Sequence, residues 1–174
     1  MLSSSCVHLR PLEPDDLAFL VRLENDPALW DAGDMRVPYS RYALEQYIER
    51  AAVEDIYTVR QARFVIARAQ PPQGACGVID LFDLVPAHRR AAIGIALLPE
   101  ARGQGLGAKA LGLLCHYAAA VLHLHQLHCC VATTNEASLR LFRGAGFTDV
   151  GVRRQWLLGL GGSWHDVVEM QRLL

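Results

Sequence analysis

The 174-residue sequence has no surplus of basic residues, since 17 lysines and arginines stand against 18 aspartates and glutamates. A formal net charge of -1 gives no reason to expect nucleic acid or an anionic membrane surface as a partner. No apolar run approaches the roughly 18 residues that a membrane-spanning helix needs. The first residues, Met1 to Ser5, resemble no secretion signal. These absences predict a soluble, cytoplasmic protein.

Cysteines are also few and form no recognisable framework. Five occur, an odd number, and no C-x-x-C pair is among them, so we expect free and mostly buried thiols rather than disulfides. Histidines are dense around 123–128, next to Cys129 and Cys130, but their spacing is not that of a tetrahedral zinc site. The sequence predicts no metal.

Apolar residues, in contrast, are abundant. They make up 52% of the chain against 20% charged residues, which excludes a disordered protein and suffices for a sizeable core. The length predicts one domain spanning residues 1–174.

The stretch from 93 to 121 has the pattern of a strand, a glycine-rich turn and a helix. An apolar run ends at Pro99, which has no N–H to give to a strand ladder. The turn 102–107 follows and reads Arg-Gly-Gln-Gly-Leu-Gly. After it, apolar residues recur at the spacing of one helix face. These residues are Leu106, Ala110, Leu113, Leu114, Tyr117 and Val121.

This layout suits an anionic ligand. The bare N–H groups of a glycine loop and of the first turn of a helix point together at a phosphate group. Glycine permits close approach and positive φ, and Arg102 adds a fork of donors for phosphate oxygens. We therefore expect a pyrophosphate site at this turn.

Two other interpretations of the turn are open. Residues 103–108 also fit the G-x-G-x-x-G/A dinucleotide pattern of oxidoreductases, which requires a βαβ unit and an acidic residue about 20 positions on. The corresponding stretch, 121–128, holds no carboxylate. The glycines could also make only a tight turn, although Arg102 and three alternating glycines exceed what a turn requires.

The same turn resembles the Q/R-x-x-G-x-G/A signature of the GCN5-related N-acetyltransferases, the GNAT family, where it binds the pyrophosphate of acetyl-CoA. Asn-Glu-Ala-Ser at 135–138 leads to Gly146–Phe147, and residues 162–166 resemble the family's closing hairpin. The similarity runs from about Leu9 to the C-terminus. It is closest to the branch that contains spermidine and ribosomal-protein N-terminal acetyltransferases.

The order of elements agrees with this resemblance. Hairpin strands come before the central helix, and only two helices follow them, which predicts an α/β fold with a mixed, largely antiparallel central sheet flanked by helices. A Rossmann domain would be dominated by its repeated βαβ unit. The GNAT resemblance adds that the strand before the glycine loop splays from strand 126–132 to bind the cofactor.

The resemblance implies acetyl-CoA as cosubstrate. Its pantetheine arm would pair with 95–97 like an extra strand, and a main-chain N–H near Leu97 or Leu98 would face the thioester carbonyl as an oxyanion hole. Asn135 matches an asparagine that binds the cofactor arm, but it would also suit the N-cap of a helix. The implied cofactor-binding residues are Ile95, Ala96, Leu97, Leu98, Arg102, Gly103, Gln104, Gly105, Leu106, Gly107, Ala108, Asn135, Ser138 and Phe142.

One position departs from the family pattern. Many relatives carry a tyrosine where this chain has Phe142, and its hydroxyl protonates the departing CoA thiolate. General acid catalysis is typically worth ~10²–10⁴-fold, and a thiol of pKa about 8.5 leaves tolerably well unaided, so the loss weakens the reaction without abolishing it. Ser138 or a water could substitute as the acid. Alternatively, the protein is a non-catalytic module that binds acetyl-CoA.

A base is also needed, because a protonated amine cannot attack. Asp80 and Asp83, on the strand before the cofactor strand, are the best carboxylate candidates. Asp83 follows three residues later, and strand alternation puts the two on opposite faces, so at most one looks into a shared cleft. Glu24 and Asp31, expected above the acceptor cleft, could recognise a cationic amine.

The acceptor is a small amine or a peptide N-terminus. In the polyamine enzymes the loop before the second helix carries clustered glutamates, whereas this loop, at 34–40, includes Arg36, beside which a polycation binds poorly. We therefore predict an acetyl-CoA-dependent N-acetyltransferase in which a primary amine attacks directly in a ternary complex. The oligomeric state, including a homodimer, is left open.

Overall fold

The fold is built on one seven-stranded sheet. A computed structural model describes residues 2–30, 37–71 and 73–174. Its strands are β1 (Val7–Arg10), β2 (Ala62–Arg68), β3 (Gly74–Val85), β4 (Arg90–Leu97), β5 (Gln126–Ala132), β6 (Thr148–Leu158) and β7 (Trp164–Leu173). They lie in the order β1-β2-β3-β4-β5-β7-β6, and all neighbours are antiparallel except β4 and β5. The mixed, largely antiparallel sheet is confirmed.

Six helices connect these strands in the described part of the chain. They are α1 (Leu17–Glu24), α2 (Pro27–Trp30), α3 (Arg41–Ala51), α4 (Ile56–Val59), α5 (Leu106–Ala120) and α6 (Glu136–Gly144). Ser40 caps α3, because its Oγ accepts a hydrogen bond from the N–H of Ala43 at 3.1 Å. The four-residue helices α2 and α4 are too short to show a period in the sequence. No helix in residues 2–30, 37–71 and 73–174 is long and apolar enough to cross a membrane.

Apolar residues cover both faces of the sheet. On the face we call the α5 face, α5 and α6 pack on residues that alternate along the strands, such as Ile79, Ile93 and Leu127. On the opposite face, which we call the α1 face, α1 and α3 pack on Val65 and Val78. All five cysteines are free and three of them are buried, as the sequence predicts.

Candidate active site

The sheet opens between β4 and β5. These parallel strands pair only at Arg90, Ala91 and Ala92 of β4, whereas β3 stays paired with β4 as far as Leu97. Within the described residues, no strand covers the other edge of β4 from Ile93 onward. The splayed strand pair implied by the GNAT resemblance is therefore confirmed. An extended ligand arm can add to such an edge through main-chain hydrogen bonds.

Strand alternation decides which groups of β4 point into this opening. The N–H of Leu98 donates to the carbonyl of Cys76 at 3.0 Å, toward β3. Because main-chain groups alternate in direction along a strand, those of Leu97 and Ile95 point toward the opening and those of Ala96 toward β3. Leu98 is also buried, so the expectation that its N–H forms the oxyanion hole is wrong. Of the two predicted donors, Leu97 is the one whose N–H points toward the opening.

The glycine loop presents uncapped N–H groups just beyond this edge. Gly103 and Gly105 adopt left-handed φ angles of 71° and 73°, which side chains disfavour. Gly105 is the N-cap of α5 and offers no side-chain cap, so the first N–H groups of the helix are left for another partner. The N-terminus of a 15-residue helix and its glycine loop form an anion site of the predicted kind.

The third glycine of the turn has a packing role. A Cβ at Gly107 would lie 3.3 Å from Cδ1 of Leu97 and 3.6 Å from Cδ1 of Ile95. It would also lie 3.6 Å from Cδ2 of Leu141 on α6. Glycine therefore lets α5 approach β4 closely and brings the start of the helix to the open edge.

Polar side chains of the loop are held by neighbouring elements. Nε of Arg102 donates to the carbonyl of Leu97 at 3.0 Å, and its Nη2 lies 3.7 Å from Oδ2 of Asp26. Gln104 donates to the carbonyl of Glu100 at 2.6 Å and accepts from Nη1 of Arg68 at 3.0 Å. Arg102 is thus placed between the end of β4 and the loop, as expected for a phosphate contact. Arg68 is an addition that the sequence does not signal, because it comes from the distant strand β2.

The three predicted cofactor-binding residues in and just before α6 lie in different environments. Oδ1 of Asn135 accepts the N–H of Ser138 at 3.1 Å, so Asn135 is the helix N-cap, the alternative left open by the sequence. Ser138 is half-buried one turn into the helix. Phe142 is only 4% exposed and packs edge-on against Phe147, with ring centroids 5.1 Å apart. Phe142 is therefore part of the core beneath the site.

Two of the predicted carboxylates meet at one arginine on the α1 face. Arg63 of β2 donates to Oδ1 and Oδ2 of Asp80 at 2.7 and 3.0 Å, and its Nη1 pairs with Glu24 of α1. The guanidinium also lies 5.4 Å from the ring centre of Tyr47. Asp31, the other predicted recognition residue, lies outside the described residues. Sequence reasoning missed Arg63, since no local pattern links a strand residue to two carboxylates 39 and 17 positions away.

Burial dominates the electrostatics of this cluster. It raises the pKa of Asp80, and the charge and hydrogen bonds of Arg63 offset only part of that rise. Burial likewise raises the pKa of Tyr47. Because Arg63 donates to only two of the acceptor sites of the Asp80 carboxylate, lone pairs of that carboxylate remain that can accept a proton or a hydrogen bond. The cluster can orient an amine on this face and hold its proton.

Family comparison agrees with this geometry. Residues 7–148 match the family model described as an acetyltransferase (GNAT) domain. Spermidine N(1)-acetyltransferase of Escherichia coli strain K12 is 31% identical over 175 residues, covering 98% of this chain and 87% of that protein. A putative ribosomal N-acetyltransferase of Bacillus subtilis is 34% identical over 93 residues, covering 53% of this chain and 50% of that protein.

Solved structures give the same picture. The spermidine N-acetyltransferase of Vibrio cholerae in complex with CoA and spermine superposes with a TM-score of 0.86 at 26% identity. That superposition covers 98% of this chain and 96% of the other.

Proposed function

This chain belongs to the GNAT acetyltransferase family and is an N-acetyltransferase that uses acetyl-CoA; on that premise we propose that a primary amine attacks the thioester directly in a ternary complex. The single observation that carries the proposal is the open edge of β4 from Ile93 to Leu97, which leads straight into the glycine loop. A cofactor with a peptide-like arm and a diphosphate matches that combination.

In this proposal the cofactor lies along β4 and the loop. The arm pairs with the main chain of Ile95 and Leu97. The diphosphate accepts hydrogen bonds from the main-chain N–H groups of 103–108 and from the guanidinium of Arg102. To bind phosphate, Arg102 exchanges its contact with the Leu97 carbonyl for one with the ligand. Gln104, with its partner Arg68, adds a polar border to the same pocket.

The chemical step needs three groups. Asp80 accepts the proton of the incoming ammonium, and the free nitrogen forms a bond to the acetyl carbon. The N–H of Leu97 stabilises the negative charge that develops on the carbonyl oxygen. The carbon–sulfur bond then breaks, the nitrogen loses its second proton to solvent as the amide forms, and CoA leaves as a thiolate that takes a proton from water or from Ser138. Phe142 offers no proton for this last step.

The acceptor is a small amine or a peptide N-terminus. Similar proteins are named spermidine acetyltransferase, but in this chain Arg63 pairs with both Glu24 and Asp80 and offsets one of their two negative charges. A cluster with one cation for two carboxylates attracts a single ammonium more readily than a long polycation. Phe142 favours one other candidate function, binding of acetyl-CoA without transfer.

Calorimetry and a thiol assay test the proposal. Purified protein is titrated with acetyl-CoA, and release of free CoA thiol is then followed with a panel of diamines, polyamines, amino acids and short peptides. We expect saturable binding and thiol release that depends on the amine. Binding without release from any acceptor would support the non-catalytic alternative, and absence of binding would refute both.

A further inference from the structure

A groove of about 470 Å³ lies beside the splay. Polar side chains from four strands line it: Asp83, Arg90, Gln126, His128, Glu169 and Gln171. Arg90 and His128 flank the rungs where β4 and β5 are still paired, so the groove begins where the strand opening ends. No residue predicted from the sequence to bind cofactor or acceptor lines it.

The groove lies on the same face of the sheet as Asp80. Directly opposed residues share a face, and Asp80 is opposite Gly94 whereas His128 is opposite Ala92, two residues earlier on β4. Residues of β4 that alternate with these, such as Ile93, pack under α5. Between Asp80 and the groove, the floor is therefore made of Gly94 and Ala92 together with the ring of Phe82, which is opposite Ala92 and whose Cε1 lies 3.3 Å from a Cβ placed on Gly94. An alkyl chain on this path would pack on that ring.

A β-bulge turns Asp83 into the groove. The pairing of β3 with β4 shifts between Phe82 and Val85, and Asp83 has a left-handed φ of 48°. Regular alternation would send Asp83 to the face opposite Asp80, which was the sequence-based expectation. Bulges re-aim side chains beside functional sites, and a left-handed aspartate is uncommon enough to suggest a reason for it.

Two opposite charges in the groove have no partner. Within the described residues, neither the Asp83 nor the Arg90 side chain takes part in a hydrogen bond or ion pair, and both side chains are exposed. In contrast, Glu169 pairs with Arg153, and Gln126 accepts from Gln171. His128, which both free charges face, adds no charge because burial and Arg90 lower its pKa. The groove thus offers one free cation and one free anion.

We propose that this groove binds the α-amino-acid end of the acceptor, so that the enzyme acetylates the side-chain amine of a basic amino acid. This inference rests on the proposed acetyl transfer. The carboxylate of the acceptor pairs with Arg90 and its α-ammonium with Asp83. Arg90 lies four residues before Gly94 on β4, a span of about 13 Å that the arginine side chain shortens. An amine at the end of an alkyl chain then extends toward Asp80, which is opposite Gly94.

The reaction is the one already described, with its acceptor defined. The side-chain nitrogen loses one proton to Asp80 and bonds to the acetyl carbon. The carbon–sulfur bond breaks, the nitrogen loses a second proton to solvent, and CoA leaves as a thiolate that takes a proton from water or from Ser138. The α-ammonium stays protonated beside Asp83 and does not react. The product is an amino acid that is acetylated on its side chain.

Matched acceptor pairs test the inference. Lysine is compared with cadaverine and ornithine with putrescine, since each diamine is the amino acid without its carboxylate. We expect kcat/KM to be at least about tenfold higher for the amino acids. Arg90→Gln should lower kcat/KM for lysine and ornithine roughly 10- to 100-fold, as for loss of a charge-assisted hydrogen bond, and leave the diamines unchanged.

Two further variants sharpen the experiment. Asp83→Asn keeps a residue that tolerates left-handed φ and removes the charge, so it should also act on the amino acids alone. Arg154→Gln, an exposed arginine of β6 outside the groove, is the control and should change neither acceptor class. Thermal melting of each variant verifies folding. Nuclear magnetic resonance of the product shows which nitrogen is acetylated.

The outcomes separate the two proposals. Equal or faster acetylation of the diamines, an equal effect of Arg90→Gln on both classes, or acetylation of the α-amine would overturn the groove assignment and leave acetyl transfer intact. If no acceptor releases thiol although acetyl-CoA binds, the proposed function fails and the groove assignment fails with it.

Discussion

Arg63 and Asp80 face each other across neighbouring strands and share two hydrogen bonds, Nε to Oδ1 at 2.7 Å and Nη2 to Oδ2 at 3.0 Å. Both side chains are less than a fifth exposed. A guanidinium in this position binds a carboxylate in a fixed orientation, which lysine would not do. The pair joins the proposed base to the packing of α1 through Glu24.

Replacing Arg63 by methionine should destabilise the protein by about 3 kcal/mol. The substitution leaves Asp80 and Glu24 buried without their cation, and breaking a buried pair costs more than the pair contributes. Urea unfolding measures the change. Arg140→Met is the control, because its ion pair with Glu136 is more than two-thirds exposed and should contribute at most about 0.5 kcal/mol. Equal losses in the two variants would contradict the burial argument.

The carboxylate of Asp16 should make stability depend on acid pH. Burial by itself would raise the pKa of this carboxyl. Two hydrogen bonds from Arg10 and one from the N–H of Glu13 outweigh burial and lower the pKa below the ordinary value of 3.8. The folded protein therefore binds fewer protons than the unfolded chain, and the stabilisation is present above pH 3.8 and lost as pH falls through the folded-state pKa.

Asp16→Asn tests this dependence. It should lower the free energy of unfolding by about 2 kcal/mol at pH 7, and the difference from the parent protein should shrink in acid. Asp15→Asn, on the same turn but exposed, should stay within about 0.5 kcal/mol. A difference between Asp16→Asn and the parent that does not change with pH would contradict the assignment.

Two glycines of α5 should respond differently to alanine. Gly112 has open space around its Cβ position, so Gly112→Ala should raise the free energy of unfolding by about 0.5–1 kcal/mol. Gly107→Ala should gain less, because its methyl group would lie 3.3 Å from Cδ1 of Leu97, which must shift to make room. It should also weaken acetyl-CoA binding, which calorimetry measures. Identical stability gains and affinities for the two variants would argue against a positioning role for Gly107.

Arg102→Gln should weaken acetyl-CoA binding roughly tenfold, the effect of losing one charge-assisted contact to phosphate. The affinity of Arg102→Lys for acetyl-CoA should fall between those of the parent protein and Arg102→Gln, since lysine keeps the charge and loses the fork of donors. Titration calorimetry gives the affinities, with Arg140→Gln on α6 as the control. Unchanged binding in Arg102→Gln would remove this residue from the proposed diphosphate site.

Phe142→Tyr should raise kcat by tenfold or more, because a general acid near the CoA sulfur contributes ~10²–10⁴-fold. The free enzyme should lose about 1–2 kcal/mol, since the hydroxyl enters a buried position. Phe147→Tyr is the matched control, as it adds a hydroxyl to the ring in contact with Phe142. It should cost stability and leave kcat unchanged. If both variants left kcat unchanged, departure of the thiolate would need no protein acid.

Much of the fold was predictable because its signals are local. Strand β5 has the predicted bounds of 126–132, and α5 begins at Leu106 as its apolar spacing indicates. Ser40 is the N-cap that its position before a helical pattern suggests. The predicted alternation failed at Asp83, because the β-bulge that re-aims this side chain has no signature in a single strand.

The sequence by itself determined the anion-binding loop and its family, since glycines, Arg102 and an apolar helix are neighbours along the chain. Only the tertiary structure decided which groups of β4 are free, because the N–H of Leu98 is taken by Cys76 on another strand. It alone brought Arg63 to Asp80 and Glu24, and Arg90 to the groove with Asp83. Periodicity encodes which way a residue points, whereas a charge takes its role from partners that only folding brings within reach.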